Sequence, residues 1–99
     1  MARDKEKQRE HQRKAAKKRY WANKEACDKI KLEAGCCNCG YDANPYALDF
    51  DHIKPEDKEF NIGSRLQQYS WKKLKKEIDK CRVMCANCHR IHSYETKAA

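Results

Sequence analysis

Apolar positions are sparse before Gly35 and become patterned only after it. Residues 3–34 contain no Gly and no Pro and are rich in Lys, Arg, Glu, Gln and Ala. That composition predicts one long helix ending at Gly35. Its first half has no apolar stripe, so fraying before about Arg13 is expected. Its second half offers Trp21, Cys27 and Ile30 as docking residues. Asp42 to Pro45 group Asp, Asn and Pro into a turn. From Tyr46 to Ile53, Leu48 and Phe50 alternate with Asp49 and Asp51, the period of a half-buried strand. Pro55, Glu56 and Asp57 make a turn, and Glu59 to Ile62 reads as the returning strand of a hairpin, broken by Gly63 and Ser64. Ser70 is placed to N-cap a helix whose Trp71, Leu74 and Ile78 share one face, with Lys72, Lys73, Lys75 and Lys76 on the others. Residues 86 to about 97 read as a short closing helix. The class is α+β, and the chain divides into a helical arm, 1–34, and a small domain, 35–99.

Composition changes this picture in two ways. Hydrophobic and charged fractions are nearly equal, 39% and 38%, so the core is lean and a staple is expected. Seven cysteines are available for one. The charged start M-A-R-D-K-E-K has no apolar run, and no stretch approaches the ~20 apolar residues of a membrane helix. We therefore expect an intracellular, cytoplasmic chain with no membrane partner, whose cysteines serve a metal and not disulfides. The net charge is +8, which points to an anionic partner, with plain solubility as the bland alternative. Residues 1–34 hold 12 Lys/Arg against 6 Asp/Glu and so carry +6 of it. Arg13, Lys14, Lys17, Lys18 and Arg19 are the densest run. They read either as a solvated face or as an arm that touches nucleic-acid phosphates without reading sequence.

The cysteines fall into two groups. Cys36-x-x-Cys39 is followed by Gly40 and Tyr41, the shape of a zinc knuckle, whose glycine permits a tight turn. Cys85-x-x-Cys88 is the second pair, 45 residues further on. Together they predict one four-cysteine Zn2+ site clasping an insertion. Cys37 falls between ligands and is not expected to be one.

Inside and beside this clip stand Asp49, Asp51, His52 and His89. If the clip pins the first strand against the helix that starts near His89, a carboxylate and an imidazole can share a divalent cation. His52 can then take a proton from water. Those parts suit phosphodiester hydrolysis, because an ordinary imidazole titrates near ~6.5 and a cation neutralises the leaving oxygen. Arg90 or Lys54 can supply charge to the phosphate.

The run C-x-x-C-G-Y, A-L-D-F-D-H-I, K-E-F-N-I, S-W-K-K-L-K-K-E-I-D-K-C and C-A-N-C-H-R-I-H resembles the HNH endonucleases, over roughly residues 36–95. It is most similar to the small phage and bacterial type, with a ββα-metal (His-Me finger) core braced by a four-cysteine zinc site. The resemblance implies that His52 is the general base and that Asp51 and His89 bind the catalytic ion, Mg2+, Mn2+ or similar. It also implies that DNA is the substrate, in a bacterial or phage-infected cell. A larger phage packaging or nuclease complex is a further partner it allows, and the long N-terminal helix leaves room for a homodimer. Two positions depart from the pattern. Lys80 stands where many relatives have a middle Asn, leaving Asn61 and Asn87 as substitutes for its loop-bracing role. His92 follows His89 by three residues instead of four, as a reserve ligand or phosphate contact. Strict alternation also puts Asp51 and His52 on opposite strand faces, with Asp49 beside Asp51 as a reserve metal ligand. The alternative function is a zinc-binding nucleic-acid module without catalysis, or an inactive HNH fold.

Overall fold

Helix α1 runs from Ala2 to Ala34 in a computed structural model that describes residues 2–98. Met1 and Ala99, the outer ends of the two expected segments, lie outside those residues. Gly35 ends the helix at φ +67°, its N–H closing on the Lys31 carbonyl at 2.8 Å. A 33-residue helix is about 50 Å long, and it sets the 58 Å long axis of the molecule. From Lys5 onward its first half is exposed apart from Ala16. Docking begins at Tyr20 and continues through Asn23, Cys27 and Ile30, one stripe at helical spacing. Trp21 does not dock: it is 54% exposed, because the stripe through Tyr20 and Cys27 leaves it on the flank. Asn23 is the polar peg of the contact, and its side-chain amide donates to the carbonyls of Leu66 and Tyr69.

Strand β1, Leu48–His52, pairs antiparallel with β2, Cys81–Cys85, with Asp51 opposite Arg82 and His52 opposite Cys81. The returning strand is therefore β2 and not Glu59–Ile62. The latter segment has no strand partner, and Ile62 opens a single 3-10 turn, Ile62–Ser64, with its side chain buried under α1. Helix α2, Trp71–Ile78, starts at Ser70, whose hydroxyl accepts the Lys73 N–H at 3.4 Å. Helix α3, Ala86–Ala98, follows β2 with no intervening loop. The arrangement is a small α+β fold: a long N-terminal helix, a two-stranded sheet and four cysteines brought together.

Two small cores hold it. Cys27, Ile62, Leu66, Leu74 and Ile78 form one between α1 and α2. Cys36, Leu48, Val83, Met84 and Cys85 form the other, under the cysteine cluster. Phe50 packs against both and joins them. Leu74 and Leu48 are fully buried, worth about 1.5–3 kcal/mol each in transfer terms. No described helix is long and apolar enough to cross a membrane.

Candidate active site

The four cysteines Cys36, Cys39, Cys85 and Cys88 place their sulfurs within 4.8 Å of one another. Each pair comes from one knuckle. In the first, Gly40 turns at φ +82° and its N–H bonds the Cys36 carbonyl, while Cys36 N–H closes on the Tyr41 carbonyl. Amide groups aim at the sulfurs, from Cys39 N–H to Cys36 Sγ and from Cys88 N–H to Cys85 Sγ. Asn38 Nδ2 adds a bond to Cys88 Sγ at 3.3 Å. Cys39 Sγ lies 3.7 Å from Cys85 Sγ. That matches the ~3.8 Å edge of a sulfur tetrahedron around an ion with bonds of about 2.3 Å. These residues are positioned to hold a metal ion. The electrostatics agree. Burial raises the Cys36 thiol, but the N–H groups of Cys39, Cys85 and Asn38 outweigh it and bring it down to about 6. The Asn38 bond favours a thiolate at Cys88, yet the Cys85 sulfur and burial push it up to about 12. Sulfurs this close resist ionising together, and a cation removes that resistance.

The other three cysteines stay out. Cys37 is exposed, and its N–H ties the knuckle to the Val83 carbonyl. Cys27 belongs to the α1–α2 core, and burial raises its thiol. Burial and the nearby Glu77 push the Cys81 thiol up to about 11.

Beside the cluster, α3 carries His89 over β1. Alternation places Asp49 and Asp51 on the β1 face toward His89. His89 Nδ1 is 3.1 Å from Asp49 Oδ2, and His89 Nε2 is 3.3 Å from Asp51 Oδ1. A neutral imidazole donates from one nitrogen only. Asp49 can take that proton, which leaves the Asp51 Oδ1–His89 Nε2 pair as two facing donors for a cation. The remaining Asp51 oxygen, Oδ2, is held by Arg82 Nε at 3.0 Å, and Arg82 in turn donates to His92 Nε2 at 3.0 Å. His92 is thus engaged on the outer side of Arg82, away from the facing pair.

His52 points to the opposite face, toward α2, where its Nε2 is 2.6 Å from Glu77 Oε2. The two faces meet because the outer edge of β1 is unpaired. Asp49, His52 and His89 line one cleft of about 450 Å³, with Lys31 of α1 and Lys58 and Asn61 of the loop after β1. A larger groove, about 590 Å³, follows α1 past Arg13, Lys17 and Tyr20 to Gln67 and Gln68. Its lining holds no acid–base cluster, whereas the smaller cleft holds Asp49, His52 and His89.

Lys54, Arg90 and Asn87 are exposed and are not among the residues that line the smaller cleft. Asn61 is exposed too, and makes no capping bond. Among the described residues, no side-chain hydrogen bond joins either asparagine to the loop, whereas Lys80 Nζ donates to the Asp57 carbonyl at 2.9 Å and to Glu77 Oε1 at 2.9 Å. Of the basic run, Arg13 and Lys17 line the α1 groove and Arg19 Nη1 reaches the Gln68 carbonyl at 3.4 Å, while Lys14 and Lys18 are exposed. Glu77 and Arg82 are the site residues that pattern reading misses. The available signal for Glu77 is a carboxylate at i+3 from Leu74, on the dry stripe of α2.

Comparison with protein-family models, characterised proteins and solved structures finds no match to this chain.

Proposed function

We propose that this chain is a metal-dependent DNA endonuclease of the HNH type, with a ββα-metal core formed by β1, β2 and α3. The observation that carries the reading is the facing pair, Asp51 Oδ1 and His89 Nε2 at 3.3 Å, beside a cleft that His52 also lines. A carboxylate and an imidazole fit a Mg2+, Mn2+ or similar divalent ion. When bound there, such an ion supplies positive charge at the leaving 3′-oxygen. Asp49 takes the Nδ1 proton of His89 and so presents its Nε2, and Arg82 orients the Asp51 carboxylate. Zn2+ in the four-cysteine cluster is structural and sets α3 against the sheet.

The chain's own chemistry is proton removal. His52 takes a proton from a water molecule as its oxygen attacks phosphorus. The bond from phosphorus to the 3′-oxygen breaks, leaving a 5′-phosphate and a 3′-alkoxide that takes a proton from solvent to become the 3′-hydroxyl. Arg90 and Lys54 contact phosphate oxygens, and the basic run of α1 adds affinity along the backbone.

The test is plasmid nicking by purified protein with Mg2+, Mn2+ or no divalent ion. His52→Ala should cost about 10²–10⁴-fold, and Asp51→Ala and His89→Ala should abolish metal-dependent cutting with the zinc content unchanged. If wild type nicks no better than His52→Ala with any divalent ion, the enzyme reading fails. DNA binding that survives in that case would leave a non-catalytic zinc module as the function.

A further inference from the structure

Glu77 stands in the run S-W-K-K-L-K-K-E-I-D-K-C, where no chemical role is read for it from the sequence. It is 2% exposed and fully partnered. Its Oε2 meets His52 Nε2 at 2.6 Å and accepts the Glu59 N–H at 3.0 Å, and its Oε1 accepts from Lys80 Nζ at 2.9 Å. Lys80 Nζ also reaches the Asp57 carbonyl at 2.9 Å and stands 3.4 Å from Glu59 Oε1. One carboxylate thus ties together the end of β1, the loop at 57–59 and the C-terminal turn of α2. Burial raises the Glu77 carboxyl, but donors from Lys80, Glu59 and His52 outweigh it and hold it at about 2.

We propose that Glu77 is the positioning residue for His52, fixing the ring in the cleft with its proton on Nε2 and its Nδ1 lone pair free. The catalytic consequence rests on the endonuclease reading; the pairing itself does not. An ionised carboxylate only accepts, so the contact at 2.6 Å requires a proton on His52 Nε2. Lys80 already balances the Glu77 charge, so the dyad does not demand an imidazolium. In a neutral ring the remaining nitrogen, Nδ1, is then the atom that receives the proton from water. Side-chain contacts that select a histidine tautomer are worth large rate factors in other hydrolases. Lys80 and Glu77 together also brace the loop, the task that the resemblance would assign to an asparagine.

Two measurements test this on the full zinc-loaded chain. Long-range ¹⁵N–¹H NMR of wild type without Mg2+ should show neutral His52 as the Nε2–H tautomer. A dominant Nδ1–H tautomer overturns the proposal, and this reading needs neither a variant nor activity. In the nicking assay, Glu77→Gln should lower kcat at least about tenfold, a part of the ~10²–10⁴ that a positioned base supplies, with KM unchanged. The same substitution in a His52→Ala background should cost nothing further. An equal loss in both backgrounds makes Glu77 merely structural and overturns the proposal. If wild type does not cut DNA at all, the endonuclease reading fails, and the tautomer still decides whether Glu77 sets His52.

Discussion

Glu77 carries a negative charge where α2 is otherwise dry, and its consequences reach beyond His52. Its carboxyl is held at about 2 against an ordinary 4.5, burial opposing and the Lys80, Glu59 and His52 donors prevailing. A carboxyl depressed in the folded state adds stability above its unfolded pKa and loses it as pH falls through the folded one. The Glu77 contribution is therefore full above about 4.5 and disappears as pH approaches about 2. Glu77→Gln should destabilise the fold by about 1.5–3 kcal/mol at neutral pH, the range for hydrogen bonds to charged groups. That gap should narrow as pH falls through this window. Urea titrations of both proteins at matched pH, over the part of this window in which both keep their metal, check it, since the cysteine cluster is common to both. A gap that does not change with pH would show that the Glu77 charge is not what stabilises the fold.

Local elements were legible in the sequence where one residue or one period decides them. Gly35 ends α1, Ser70 starts α2, and Trp71, Leu74 and Ile78 define its face. Pairing was not legible, because it is decided by partners far along the chain. Glu59–Ile62 and Cys81–Cys85 are both short apolar-mixed runs, and nothing local says which one meets β1. The four-cysteine clip does, since β2 leads directly into Cys85. Asp51, His52 and His89 could be named from type and spacing, but Glu77 and Lys80 act through contacts of loop and helix that no spacing encodes. The α1 face was half legible: Cys27 and Ile30 dock, while Tyr20 and Asn23 take the place expected for Trp21. That docking line makes a clean cut available. Removing residues 1–19 leaves Tyr20, Asn23 and Cys27 on the core and takes away Arg13, Lys14, Lys17, Lys18 and Arg19. DNA affinity should fall, and the slope of log K against log salt should flatten by up to about 0.9 for each phosphate that the shortened chain no longer neutralises. A salt titration of binding measures this, and an unchanged slope would make the run a solvated face.

At the scale of the whole molecule, the four-cysteine cluster and the second core are one object. Cys36 and Cys85 are ligand candidates and core residues at once, packed with Leu48, Val83 and Met84. The cluster joins the end of α1 to the junction of β2 and α3, and the β1–β2 pairing depends on that junction staying in place. With two small cores of five buried residues each among the described residues, the sheet has little apolar burial to set against its own chain entropy. Zinc binding by four cysteines typically supplies about 10–16 kcal/mol of apparent free energy at neutral pH, more than a domain of this size has to lose. The purified chain should therefore carry one tightly held zinc. Cys85→Ser, or a strong chelator, should collapse the NMR dispersion of β1, β2 and α3, while α1 keeps part of its helical signal because its propensity is its own. Metal analysis and spectra on the same sample check both halves. A stably folded, metal-free chain would mean that Phe50 and the two cores suffice, and that His89 reaches Asp51 without the clip.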